Sequence, residues 1–117
     1  MSEKPSQFPS FFGPAAAARQ ETRWRPPVDV YRTPCGWLLK LELAGVRMED
    51  ISVQLQGNRL TVSGIRRDWA LEEGCSHYMM EISYNRFERT IELPCDLAQT
   101  RLELEYREGI LLIRVTA

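Results

Sequence analysis

The pair best suited to covalent chemistry is Cys75 and His77, a thiol two positions from the chain's single imidazole. Positions i and i+2 of a paired strand share a face, so a thiol–imidazole couple is conceivable there. Glu72 and Glu73 stand close by, and their charge opposes thiolate formation instead of favouring it. Cys75 therefore reads as a loop cysteine and His77 as a surface or subunit-facing residue; a redox-sensing Cys75 is the competing reading. The carboxylate pairs Glu72–Glu73 and Glu103–Glu105 read as a solvated face. No G-x-x-x-x-G-K-[ST] run is present to cradle a phosphate, and neither lysine follows a glycine-rich turn. Cys35, Cys75 and Cys95 are odd in number and include no C-x-x-C pair, which suggests neither a disulfide framework nor a zinc knuckle. The expectation is a protein that is not an enzyme and needs no cofactor or metal.

Composition narrows the class further. At 117 residues the chain suffices for one domain with a real core. Fifteen basic and sixteen acidic side chains leave a net charge of -1, with no footprint for nucleic acid or an anionic membrane surface. No apolar run approaches bilayer length, and Met1-Ser2-Glu3-Lys4-Pro5 leads into no apolar secretory core. These features predict a soluble, cytoplasmic protein.

The elements that would position any site fall into two regions. Residues 1–27 hold Pro5, Pro9, Pro14, Pro26 and Pro27, a density that prevents long helices and ladders. This reads as a flexible arm. Its Phe8, Phe11, Phe12 and Trp24 are unusual for a solvated tail; they either pack on the adjoining domain or contact a partner or client. From Val28 to the end, residues 28–117, short alternating runs are separated by turn chemistry. Trp37, Leu39, Leu41 and Leu43 alternate with polar or outward positions, as do Ile51, Val53 and Leu55. Gly57-Asn58 predicts a two-residue hairpin with glycine in positive φ, and Gly64 marks a bulge or a close backbone approach. Leu60 and Val62, then Tyr78, Met80, Ile82 and Tyr84, then Phe87, Ile91 and Leu93 continue the pattern. Leu102, Leu104 and Tyr106 precede a Glu108-Gly109 turn and a last strand. Eight short strands with no helical period predict an all-β sandwich. Arg89 falls on the apolar phase of its strand, and a bend turning it outward is the expected resolution.

An open sandwich leaves strand edges that must be covered, charged or used. The charged excursion after Arg66 carries Trp69 and Leu71 and is longer than a hairpin needs. It either folds back on its own sandwich or adds a strand to a second copy.

The ordered motifs from about Trp24 to Val115 resemble the α-crystallin domain of the small heat-shock proteins, in its bacterial and plant form. They are Pro27-Val28-Asp29-Val30-Tyr31, Leu43-Ala44-Gly45-Val46, Glu49-Asp50-Ile51 and Asn58-Arg59-Leu60-Thr61-Val62-Ser63-Gly64. Phe87, Arg89, Leu93 and Pro94 follow, and then Gly109-Ile110-Leu111. The resemblance implies an immunoglobulin-like β-sandwich and a homodimer built by exchanging the excursion, with Trp69, Leu71 and Tyr78 in the exchanged segment. It implies ATP-independent holdase activity in the stress response, toward unfolded client proteins. Phe8, Phe11 and Phe12 would supply N-terminal client contacts. A tail- or client-binding groove would run between Ile51, Val53 and Leu55 on one strand and Leu102 and Leu104 on another. Asn85 stands where the family has a glycine, a substitution that left-handed backbone tolerates. No I-x-I/V tail follows Val115, so a dimer is the expected unit, with a larger homo-oligomer as the alternative. A CS-domain-like adaptor without general client protection is the competing function.

Overall fold

The structure, a computed structural model, describes residues 24–69 and 72–117. Two antiparallel sheets face each other. Strands β1 (Val28–Thr33), β2 (Gly36–Glu42), β6 (Arg101–Arg107) and β7 (Ile110–Thr116) form one sheet in the order β1-β2-β7-β6. Strands β3 (Ile51–Gln56), β4 (Arg59–Arg66) and β5 (Asn85–Glu92) form the other in sequence order. This is the β-sandwich that the alternation predicts, of the immunoglobulin-like kind that the resemblance implies. Single helical turns at Met48–Asp50 and Leu97–Gln99 are the only helical pieces among the described residues.

The core follows the period-two positions. Leu39, Leu41, Leu111, Ile113 and Val115 from the larger sheet meet Leu60, Val62 and Phe87 from the smaller, all essentially inaccessible to water. Leu43, Val46, Leu93 and Leu97 close the ends from the connections. Each register keeps these residues on one face: Leu39 lies opposite Ile113, and Leu41 opposite Leu111.

Turn chemistry fixes those registers. Gln56 pairs with Arg59 across Gly57-Asn58, and Gly57 holds φ +63° as a two-residue hairpin of this kind requires. Arg107 pairs with Ile110 across Glu108-Gly109, both in positive φ. Gly64 proves to be a close approach and not a bulge, because pairing with β3 and β5 runs through it without interruption. A Cβ there would overlap the Asp50 carbonyl oxygen and lie 2.7 Å from the Phe87 ring.

Two expectations are corrected. Seven strands form among the described residues, not eight, because Tyr78–Tyr84 is not in a strand. A strand exists only within a ladder, and no described strand runs beside this segment to accept its backbone groups. Nor does Arg89 turn outward. It pairs with Val62 on the inward face, half-buried, and its Nη1 donates to the Pro26 carbonyl at 2.8 Å. Its Nε is buried with no hydrogen-bond partner among the described residues. The bend was unnecessary because the chain leading into β1 brings that carbonyl over the guanidinium.

Tyr106 ties the two ends of the β2–β3 connection. Its hydroxyl lies 2.6 Å from both the Leu43 and Val46 carbonyl oxygens and shares its one proton between them. Burial pushes the phenol above its ordinary range. Tyr106→Phe is expected to lower unfolding stability by about 1–2 kcal/mol, measured by denaturant titration. Gly64→Ala is expected to cost roughly 1–3 kcal/mol by overpacking against Asp50 and Phe87. An unchanged denaturation midpoint in either variant would contradict the packing described.

Candidate functional site

Between Arg66 at the end of β4 and Asn85 at the start of β5, the described residues 67–69 and 72–84 lie outside the strands of the sandwich. Two successive arginines build the base of this excursion. Arg67 forms a two-pronged ion pair with Asp50, Nε to Oδ2 at 3.0 Å and Nη2 to Oδ1 at 3.2 Å. The Arg67 guanidinium holds the Asp50 carboxyl below its ordinary range. Arg66 reaches back across the base, its Nε donating to the Ser83 carbonyl at 2.8 Å.

Beyond that base the excursion presents apolar side chains to water. Trp69 is 65% exposed and Tyr78 fully exposed, with Met79, Met80 and Ile82 more than half exposed. Leu71, expected beside Trp69, lies outside the described residues. Cys75 and His77 are both exposed in the same stretch, and the Cys75 amide donates to the Glu72 carbonyl as part of a turn. The three cysteines are free thiols.

The sandwich has an open border to match. β1 is the outermost strand of its sheet, and no described strand pairs with its far side. Val30 and Tyr31 along it are exposed, and charged groups shield the neighbourhood. The Lys40 ammonium sits 4.8 Å from the Tyr31 ring centroid, and the Arg32 guanidinium 4.9 Å from that of Trp37.

The expected groove residues separate into two groups. Ile51, Val53 and Leu102 are half-buried and pack against the core, so they support the sandwich more than they offer surface. Leu55 and Leu104 lie on the same inward phases of β3 and β6, yet remain 44% and 49% exposed. Both strands are outermost in their sheets, which is why their inward faces are incompletely covered. A polar depression of about 520 Å³, lined by Gln54, Leu55, Gln56, Arg59, Thr61 and Thr90, lies beside this border. The client-contact candidates Phe8, Phe11 and Phe12 lie outside the described residues.

Sequence reasoning passed over three parts of this surface. Met80 and Ile82 were visible as alternation without a turn-linked partner, and β1 as the first strand of the series. Arg66 gave no signal, because its partners come from three distant segments. Among the described residues, no cluster of three or more His, Cys, Asp or Glu side chains could hold a metal ion. No described helix is long and apolar enough to cross a membrane.

Comparison with known proteins points the same way as the sandwich and its open borders. A family model described as the Hsp20/alpha crystallin family matches residues 29–117. The chain is 27% identical over 108 residues to Small heat shock protein C2 of Rickettsia felis, spanning 92% of this chain and 70% of that protein. It is 32% identical over 88 residues to Spore protein SP21 of Stigmatella aurantiaca, spanning 75% of this chain and 52% of that one. Among solved structures, heat shock protein 16.0 from Schizosaccharomyces pombe matches with a TM-score of 0.72 at 26% identity, over 80% of this chain and 87% of that one. The hspA protein from Xanthomonas axonopodis matches with a TM-score of 0.67 at 26% identity, over 81% and 95%. With the motifs in order, the two-sheet topology and a family match across all seven strands but the first residue of β1, this chain belongs to the Hsp20/alpha crystallin family of small heat shock proteins.

Proposed function

We propose that the protein is an ATP-independent holdase, which binds partly unfolded proteins and keeps them from aggregating. The observation that carries this reading is the run of exposed apolar side chains on residues 67–84, beside a sandwich with unpaired borders. Surface of this kind captures partly unfolded chains by apolar burial and mass action, with no nucleotide needed. In this reading residues 1–27 are an arm whose Phe8, Phe11 and Phe12 contact clients, and residues 28–117 are the α-crystallin domain, acting in the cytoplasm.

The working unit we propose is a homodimer in which each copy lends residues 67–84 to the other. Tyr78, Met80 and Ile82 alternate as a strand does, but lack a ladder among the described residues of one copy. The open side of β1 offers one, and pairing there would satisfy backbone groups on both segments. Trp69, Leu71 and Tyr78 would be covered in that exchange. Leu55 and Leu104 would form the exposed part of a groove for an apolar tail or client segment, with Ile51, Val53 and Leu102 as its floor.

Two measurements test the reading. A thermally aggregating client, heated without ATP, should scatter less light when this protein is present at equimolar or higher ratio. Unchanged scattering, together with one stoichiometric partner in a pull-down, would favour an adaptor of the CS-domain kind instead. Met80→Ala with Ile82→Ala should leave the stability of a single copy nearly unchanged, because both side chains are exposed there. The same pair should weaken the dimer by about 2–5 kcal/mol per buried residue, seen as monomer by multi-angle light scattering. A dimer of unaltered strength would rule out the exchange.

A further inference from the structure

The point at which residues 67–84 rejoin the sandwich is an unusual strand start. Asn85 stands at φ 103°, a conformation that non-glycine residues adopt only at a cost. Its carbonyl accepts a hydrogen bond from the Trp24 indole Nε1 at 3.2 Å. Two residues earlier, the Ser83 carbonyl accepts one from Arg66 Nε at 2.8 Å.

The two donors touch each other. The Arg66 guanidinium lies 4.1 Å from the centroid of the Trp24 ring, well inside cation–π range. A third contact, Arg66 Nη1 to the Ala44 carbonyl at 2.9 Å, fixes the guanidinium plane. Only a planar fork can meet two carbonyls and a ring face together; a lysine ammonium presents one point charge. Trp24 also packs on Phe87, with ring centroids 5.3 Å apart and the planes tilted by 57°, and its amide donates to the Arg86 carbonyl at 3.1 Å.

We infer that Arg66 is a positioning residue that couples Trp24, on the segment leading into β1, to Ser83–Asn85, where the excursion returns. With Trp24 seated, its ring holds the guanidinium in the orientation that reaches Ser83, and its indole clamps Asn85. When Trp24 lifts away, the guanidinium loses its platform, Ser83 loses an oriented donor and the strained Asn85 is released. Coupling of this kind is reciprocal, so displacing the return limb also loosens Trp24. A pull on the chain ahead of Trp24 is thereby felt at the base of the excursion. The device lies within one copy and does not depend on exchange or on holdase activity.

Residue-resolved hydrogen exchange across Ser83–Phe87 on the full chain tests it, comparing the unaltered protein with Trp24→Leu, Arg66→Met and the double variant. Trp24→Leu should speed exchange there on the order of fivefold or more. The same substitution should add little once Arg66 is methionine, and Arg66→Lys should behave like Arg66→Met. Amides of β7 should stay protected throughout, reporting an intact core. Equal effects of Trp24→Leu in both backgrounds, or normal exchange in Arg66→Lys, would overturn the inference. If Trp24→Leu exposes the β7 amides, Trp24→Phe replaces it. That variant keeps a ring face under Arg66 but removes the indole donor to Asn85, so exchange across Ser83–Phe87 should quicken less than in Trp24→Leu. An effect as large as that of Trp24→Leu, or none, would count against the coupling.

Discussion

Every backbone N–H and C=O in a sheet needs a partner, and a sandwich of two open sheets always has strands with one side unmet. That constraint organises this molecule. Four strands are outermost: β1 and β6 in the larger sheet, β3 and β5 in the smaller. The β5 border is partly met from within the chain, where Trp24 bridges to Phe87 in parallel. Leu97–Gln99 packs beside β3, and the Leu97 amide donates to the Gly57 carbonyl at the end of that strand. Among the described residues β1 receives nothing comparable, and the segment with the most exposed apolar side chains forms no described strand.

The same constraint explains how polar groups are used inside. The β1 approach contains Pro26 and Pro27, which have no N–H to offer a ladder. The Pro26 carbonyl still needs a donor, and Arg89 supplies it from the opposite sheet. Tyr106 does the equivalent for the carbonyls of Leu43 and Val46 in the other connection. Side chains from strands therefore satisfy the irregular segments that cross between sheets, and those segments are held where the core requires them.

Much of this was readable in the residues alone. Period-two alternation located β2 to β6, an extended run located β1 and the Glu108-Gly109 turn located β7, with glycines marking the tight turns; Asn85 was singled out only by the family resemblance. What escaped was anything that depends on a partner remote in sequence. Alternation at Tyr78–Tyr84 says that a strand is competent to form, not which chain holds the other half of its ladder. Arg89 was expected to bend outward because the carbonyl that accommodates it is 63 positions away. The expected groove residues all lie on β3 and β6, but Leu55 and Leu104 are exposed where Ile51, Val53 and Leu102 pack against the core. That difference is set by how far the other sheet reaches over each strand and not by the strand's own alternation. Arg66 is the extreme case, since its contacts come from Trp24, Ala44 and Ser83 at once.

The outward face of β3, β4 and β5 carries the Thr61–Thr90 hydroxyl pair at 2.9 Å and the Arg59–Glu92 ion pair at 2.9 Å, with Gln54 opposite Thr61 and Ser63 two residues further along β4. Such a well-hydrated broad side resists being stacked against another sheet. The unmet backbone groups of the described strands lie at the rims and not on this side, so an incoming strand finds hydrogen-bond partners only along an edge.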